Sequence, residues 1–218
     1  MENTVDLETA LCEVRKAYRL LWLFQRRVFD ICEAIRDNFG VKFYCVGYHF
    51  DRPPTSGSPF KKWTWDMLPM SNISFLFLRH KGENPHNDGA NYPMPDDYLL
   101  SIHVMPDSAL LDCKYEGEPD PMRFPPANTA ESKLGLYLYY NDAKRMDENG
   151  QPSPTNWADR IWSPLRLIRH AHSVDHPLKG IRTYGSVLSL SRLDSAEAIR
   201  KHVKEFRDVV KVKLNVEL

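Results

Sequence analysis

Four side chains able to ligate a transition metal crowd into RHAHSVDH (169–176): His170, His172, Asp175 and His176. Imidazole nitrogens and a carboxylate at short spacing are what zinc or a similar ion requires. The spacing opposes convergence, because on a helix His170 and His172 point roughly 200° apart. His172 and His176 align only if helix continues to Pro177, and a proline pushes the residue before it out of helical conformation. The expectation is a polar helix end with histidines near its C-terminal dipole, and no metal site is assigned. Cys12, Cys32, Cys45 and Cys113 stand far apart among apolar neighbours, as buried reduced thiols do. No Gly-x-Ser-x-Gly elbow, Gly-x-x-x-x-Gly-Lys loop or Gly-x-Gly-x-x-Gly turn is present, so neither a serine nucleophile nor nucleotide chemistry is nominated. His103, inside an apolar run, is expected to be a hydrogen-bonded core histidine.

A second group joins two acids and a lysine: Pro95-Asp96, fifteen intervening residues, then Asp112-Cys113-Lys114. If 109–115 is a strand, Asp112 and Lys114 share a face. On these residues, and on the helix and strand expected before them, the stretch from about 7 to 115 resembles the PD-(D/E)XK nuclease superfamily. The resemblance implies that Asp96 and Asp112 hold Mg²⁺ on a β-hairpin and that Lys114 positions water or stabilises charge during phosphodiester hydrolysis of nucleic acid. Glu13 or Glu33 on the first helix would be a further ligand. The pattern recurs at Pro119-Asp120 before Glu131-Ser132-Lys133 and before Asp142-Ala143-Lys144, but only the first match falls on an expected hairpin. Lys plus Arg and Asp plus Glu both total 29, so no global field draws in nucleic acid or an anionic membrane.

Aromatic residues in loops point to binding. Phe60, Lys61, Lys62, Trp63 and Trp65 in SPFKKWTWDMLP follow a Pro/Gly/Ser stretch, and large aromatics beside basic residues are the usual composition of interaction hot spots. Tyr137, Tyr139 and Tyr140 could stack bases, but alternation puts the first two on one sheet face, where packing explains them equally well. The leading expectation is a non-catalytic protein without a cofactor that binds a macromolecule, a protein, through its aromatic loops or its first helix. The alternative is the Mg²⁺-dependent nuclease.

The elements that must position these groups follow from periodicity. Leu7, Leu11, Val14, Tyr18, Leu21, Phe24, Val28, Ile31 and Ile35 recur at steps of three and four, predicting an amphipathic helix over about 5–39 that Gly40 stops. Such a helix is roughly 50 Å long, so it either packs across a sheet or pairs with a copy of itself. Strands are expected at 41–50, 72–80, 98–105, 109–115, 134–140 and 181–190. A helix begins near Asp194 with Glu197 in a capping-box-like start, and alternation in VVKVKLNVEL predicts a final strand. Strands followed by helices give α+β: a mixed, mainly antiparallel sheet of about five to seven strands, with the long N-terminal helix and C-terminal helices packed on it, in a single domain over 1–218. Hydrophobic and charged fractions of 42% and 27% are ordinary for a globular chain. The polar start MENTVDLETA is not a secretory signal and Leu20–Phe24 is too short to span a bilayer, so a cytoplasmic location is expected.

Overall fold

The computed structural model describes residues 7–48, 72–79, 96–112, 123–141 and 181–218. Helix α1 (Leu7–Phe39) leads into strands β1 (Lys42–Tyr48), β2 (Ile73–Arg79) and β3 (Tyr98–Met105), then a helical turn α2 (Ala109–Asp112). Strands β4 (Lys133–Asn141) and β5 (Ile181–Ser189) precede α3 (Ala196–Leu214). The sheet runs β1-β2-β3-β4-β5, and every neighbouring pair is antiparallel. The architecture is α+β, as the element order predicts.

Both helices pack on one face of the sheet. Ile73, Phe75, Leu100, Ile102, Leu136 and Leu138 project toward Val28, Ile31, Ile35 and Phe39 of α1 and toward Ile199, Val203, Phe206 and Val210 of α3. Phe206 sits between Phe39 and Tyr184, with ring centroids 6.1 and 5.3 Å away. Aromatic edges meeting at these distances add to the area they bury. Leu76, Leu78, Leu99, Tyr137, Tyr139 and Ile181 form a second apolar cluster on the opposite face. Burial on both faces explains why every residue of β3 is buried and its apolar residues do not simply alternate with polar ones.

The end of α1 is fixed by backbone geometry. Gly40 has φ +63° and donates to Asp37 O at 3.2 Å, while the Val41 amide donates to Arg36 O at 3.3 Å. This pair of bonds is the Schellman closure, and its left-handed residue is one that glycine occupies without steric cost. Helix α3 starts one residue later than the expected cap: Ser195 Oγ accepts from the Ala198 amide at 3.1 Å.

Two expected strands are not formed. The first is 109–115, the expected partner of 98–105: residues 109–112 are a helical turn. Asp107 starts it, since its Oδ1 accepts from the Ala109 amide at 2.9 Å and its carbonyl from Leu110 at 3.2 Å. Strand β3 already has β2 on one edge and β4 on the other, so no edge remains for a third partner. The alternation of 210–218 also misleads. Ile199, Val203, Phe206, Val210 and Leu214 continue the buried helical stripe, Val212 is 80% exposed, and the helix ends only at Asn215, whose φ is 51°. The polar helix end expected at 169–176 lies outside the described residues.

Candidate functional site

One stripe on α1 changes surroundings along its length. Its positions Leu7, Leu11, Val14, Tyr18 and Leu21 follow at alternating steps of four and three, and after Gln25 the same spacing resumes with Val28, Cys32, Ile35 and Phe39. From Val28 onward these side chains are buried against the sheet and α3. Between Leu7 and Leu23 no residue is buried: Leu7 is 72% exposed, Tyr18 68% and Trp22 56%. Seventeen residues of helix, roughly 25 Å, thus carry a core-type stripe into solvent. Contiguous apolar patches of this kind are uncommon on surfaces left in water.

Charges flank the stripe in defined places. Arg15 Nη2 lies 2.7 Å from Glu8 Oε1, and Lys16 Nζ lies 2.8 Å from Glu13 Oε1. The Arg26 guanidinium sits over the Trp22 ring, 5.6 Å from its centroid. The root of the exposed half is held firmly. Arg27 Nη2 donates to Leu193 O at 2.6 Å, and the Tyr98 hydroxyl donates to Phe39 O at 3.2 Å at the far end.

The second sheet face has a different character: it is buried and partly polar. One row across it reads Ser74, His103, Gly135, Val187, the next Leu76, Ser101, Tyr137, Gly185, and a third Leu78, Leu99, Tyr139, Thr183. His103 Nε2 hydrogen-bonds Asn72 Oδ1, as expected of a core histidine. Ser101 Oγ, the Tyr139 hydroxyl and Thr183 Oγ1 are buried without a hydrogen-bond partner among the described residues. Burial pushes the Tyr137 phenol up to about 12, and burial first, then the neighbouring Tyr137, holds the Tyr139 phenol well above its ordinary value. Both rings are neutral near pH 7, and neither can serve as a general base there. They are also buried, so they are not platforms for stacking bases.

A third feature is a hollow of about 470 Å³ beside α3, lined by Asn38, Arg200, Lys204, Arg207, Lys211 and Leu218 among others. Two of its cations hold the chain's own end. Arg207 donates to Leu218 O and, at 3.2 Å, to Asn38 O, and Lys211 Nζ lies 2.7 Å from Glu217 Oε1.

The residues singled out from the sequence fare differently. Asp96 has φ 69°, its amide donates to Asn141 O at 2.8 Å, and its carboxylate accepts from the Tyr140 hydroxyl. It is tied to the end of β4. Asp112 lies on α2, not on a strand paired with β3, so the hairpin that would have set it opposite Asp96 is absent. Glu13 and Glu33 are exposed on α1 and pair with Lys16 and Arg36, the latter at 3.6 Å. Among the described residues no group of three or more His, Cys, Asp or Glu side chains could hold a metal ion. Lys114, Cys113, the segment Phe60, Lys61, Lys62, Trp63, Trp65 and the histidines 170, 172 and 176 lie outside the described residues.

Cys12, Cys32 and Cys45 are free thiols. Cys32 is buried as expected, with its thiol pushed up to about 12 by desolvation and then by Glu33, while Cys12 and Cys45 are only partly buried. The sequence reading missed the buried hydroxyls of the second sheet face. Their signal was the polar residues within apolar runs: Ser101 in YLLSIHVM and Thr183 in IRTYGSVLSL.

No helix among the described residues is long and apolar enough to cross a membrane. The chain is 24% identical over 219 residues to "Uncharacterized protein PM0109" of Pasteurella multocida (strain Pm70), a match covering 96% of this chain and 97% of that protein. No solved structure matches. A family model described as PM0109 matches residues 4–215, from before the exposed turns of α1 to the last turn of α3. The chain therefore belongs to the PM0109 family.

Proposed function

We propose that this is a non-catalytic binding protein whose exposed N-terminal helix presents its apolar stripe to a protein partner. The observation that carries this is the stripe of α1, buried from Val28 to Phe39 and in solvent from Leu7 to Leu23. Apolar side chains on that half cost solubility and add nothing to the core formed by the described residues, so a second surface accounts for them. Helix faces of this width are read by partners through anchors at i, i+4 and i+7, the spacing of Leu7, Leu11 and Val14. Phe60, Lys61, Lys62, Trp63 and Trp65 supply a second proposed contact on composition. Free thiols at Cys12, Cys32 and Cys45 suit a reducing, cytoplasmic setting.

Asp96 and Asp112 do not face each other across a hairpin, so Mg²⁺-assisted phosphodiester hydrolysis has no geometric support among the described residues. The binding surface is tested by replacing Leu11, Val14 and Tyr18 together with glutamine. Stability to urea should stay within about 0.5 kcal/mol of wild type, as for surface positions. A loss of about 2 kcal/mol or more that is the same at every protein concentration would show that the stripe serves the protein's own fold, since the contribution of an association varies with concentration.

A further inference from the structure

We infer that the partner of the exposed stripe is a second copy of this chain, joined to it as an antiparallel helix pair centred between residues 12 and 13. The inference rests on the binding role proposed above and specifies its occupant. Leu7, Leu11, Val14 and Tyr18 occupy alternate steps of four and three, the seam of a two-helix coiled coil. In an antiparallel pair centred there, Leu7 faces Tyr18 of the partner subunit and Leu11 faces Val14 of the partner subunit. Each contact then occurs twice, as a two-fold interface requires.

The flanks choose both direction and register. Glu8 and Arg15 lie on the same edge of the seam, seven residues apart and opposite in sign. In the antiparallel arrangement this edge meets itself, so Glu8 of each copy lies within reach of Arg15 of the other. A register shifted by one heptad would bring Arg15 against its own counterpart and leave Glu8 beside Trp22. The opposite edge carries Ala10 and Ala17, whose small side chains let the two backbones approach. A parallel pair would set Arg15 against Ala10 and Glu8 against position 3, and would gain nothing from their opposite charges. An antiparallel pair also places the two sheets at opposite ends, where the buried halves of the two helices do not compete for space.

Sedimentation equilibrium on the full chain tests this with Glu8→Arg, Arg15→Glu and their equimolar mixture. Wild type should dimerise, and each charge variant should weaken its own dimer by about tenfold, since two attractions become repulsions. The mixture should regain wild-type association, because in a heterodimer of the two variants position 8 of each chain again meets a charge of opposite sign at position 15 of the other. That recovery is specific to contacts between chains, since neither variant can restore its own Glu8–Arg15 pair. A wild-type dimer indifferent to both charge variants but dissolved by Leu11→Gln with Tyr18→Gln overturns the antiparallel register and leaves the binding surface standing. A dimer insensitive to all four substitutions overturns both. A monomer at every concentration overturns the second copy as occupant, and flotation of that monomer with phosphatidylserine vesicles would identify a lipid surface instead; the glutamine triple variant still tests the surface independently.

Discussion

Replacing Gly185 with alanine should destabilise the sheet through a single side chain, Tyr137. A Cβ at position 185 would stand 2.1 Å from Tyr137 Cδ1 and 2.5 Å from Cε1, against ordinary carbon contacts of about 3.5–4.0 Å. The ring cannot slide toward the neighbouring residue, because a Cβ built on Gly135 would stand only 2.6 Å from its Cε2, which shows how closely it lies on that backbone as well. It occupies a trough between two glycines and is 1% exposed. Two effects compete. Removing a strand glycine gains about 0.5–1 kcal/mol of chain entropy, while overpacking a filled core costs about 1–3 kcal/mol, at the upper end where a whole ring must move. The net expectation is a loss of about 2 kcal/mol, or about 4–8 °C in Tm for a chain of this size. A double-mutant cycle with Tyr137→Val isolates the cause. With the ring gone, Gly185→Ala should be neutral or stabilising, giving a coupling of about 2–3 kcal/mol in urea unfolding. A neutral Gly185→Ala, or an equal loss in both backgrounds, would refute the account of Tyr137 as held between Gly135 and Gly185.

Two further substitutions bear on buried polar groups. Thr183→Val preserves shape and removes a buried hydroxyl that has no partner among the described residues, so urea stability should rise by about 1 kcal/mol; a fall would show that the hydroxyl is bound. On α3, His202 has its imidazole pKa lowered from 6.5, by burial first and by Arg192, against an opposing pull from Glu205. The unfolded chain takes up this proton more readily than the folded one, so the contribution of His202 is present above about pH 6.5 and is lost as pH falls through the lowered folded value. Unfolding midpoints measured from pH 7.5 to 5 should fall less steeply in His202→Gln than in wild type, and parallel curves would remove His202 from the acid response.

The fold was legible where one periodicity dominated. The stripe of α1, its stop at Gly40 and the runs that became β2, β3 and β4 all follow from side-chain spacing, because their apolar residues meet a single surface or are buried on both. Errors arose where short spacings fit two periods. Val210 and Leu214 satisfy both an alternating strand and an i, i+4 helix, and only the longer stripe from Ile199 decides for the helix. ALLDCKY has strand composition, but Asp107 offers a cap just before it and β3 has no open edge, so tertiary pairing overrode propensity. The exposed stripe was half legible. Sequence showed an amphipathic helix longer than a domain needs, but where along it burial stops is set by the width of the sheet and the position of α3, which spacing alone does not contain.

The closure of α1 at Gly40 and its anchorage by Arg27 give the exposed half a folding history of its own. Seventeen residues of helix alone would be marginal in water, since the first turn is costly to nucleate. Here the nucleus is supplied by the anchored turns from Val28 to Phe39, and the tip grows from them one hydrogen bond at a time. Amide exchange along α1 should therefore be graded, fast at Leu11 and slow at Ile35, within one continuous helix. A partner meeting the tip finds a helix already formed, and the ordering entropy of its backbone has been met before association begins.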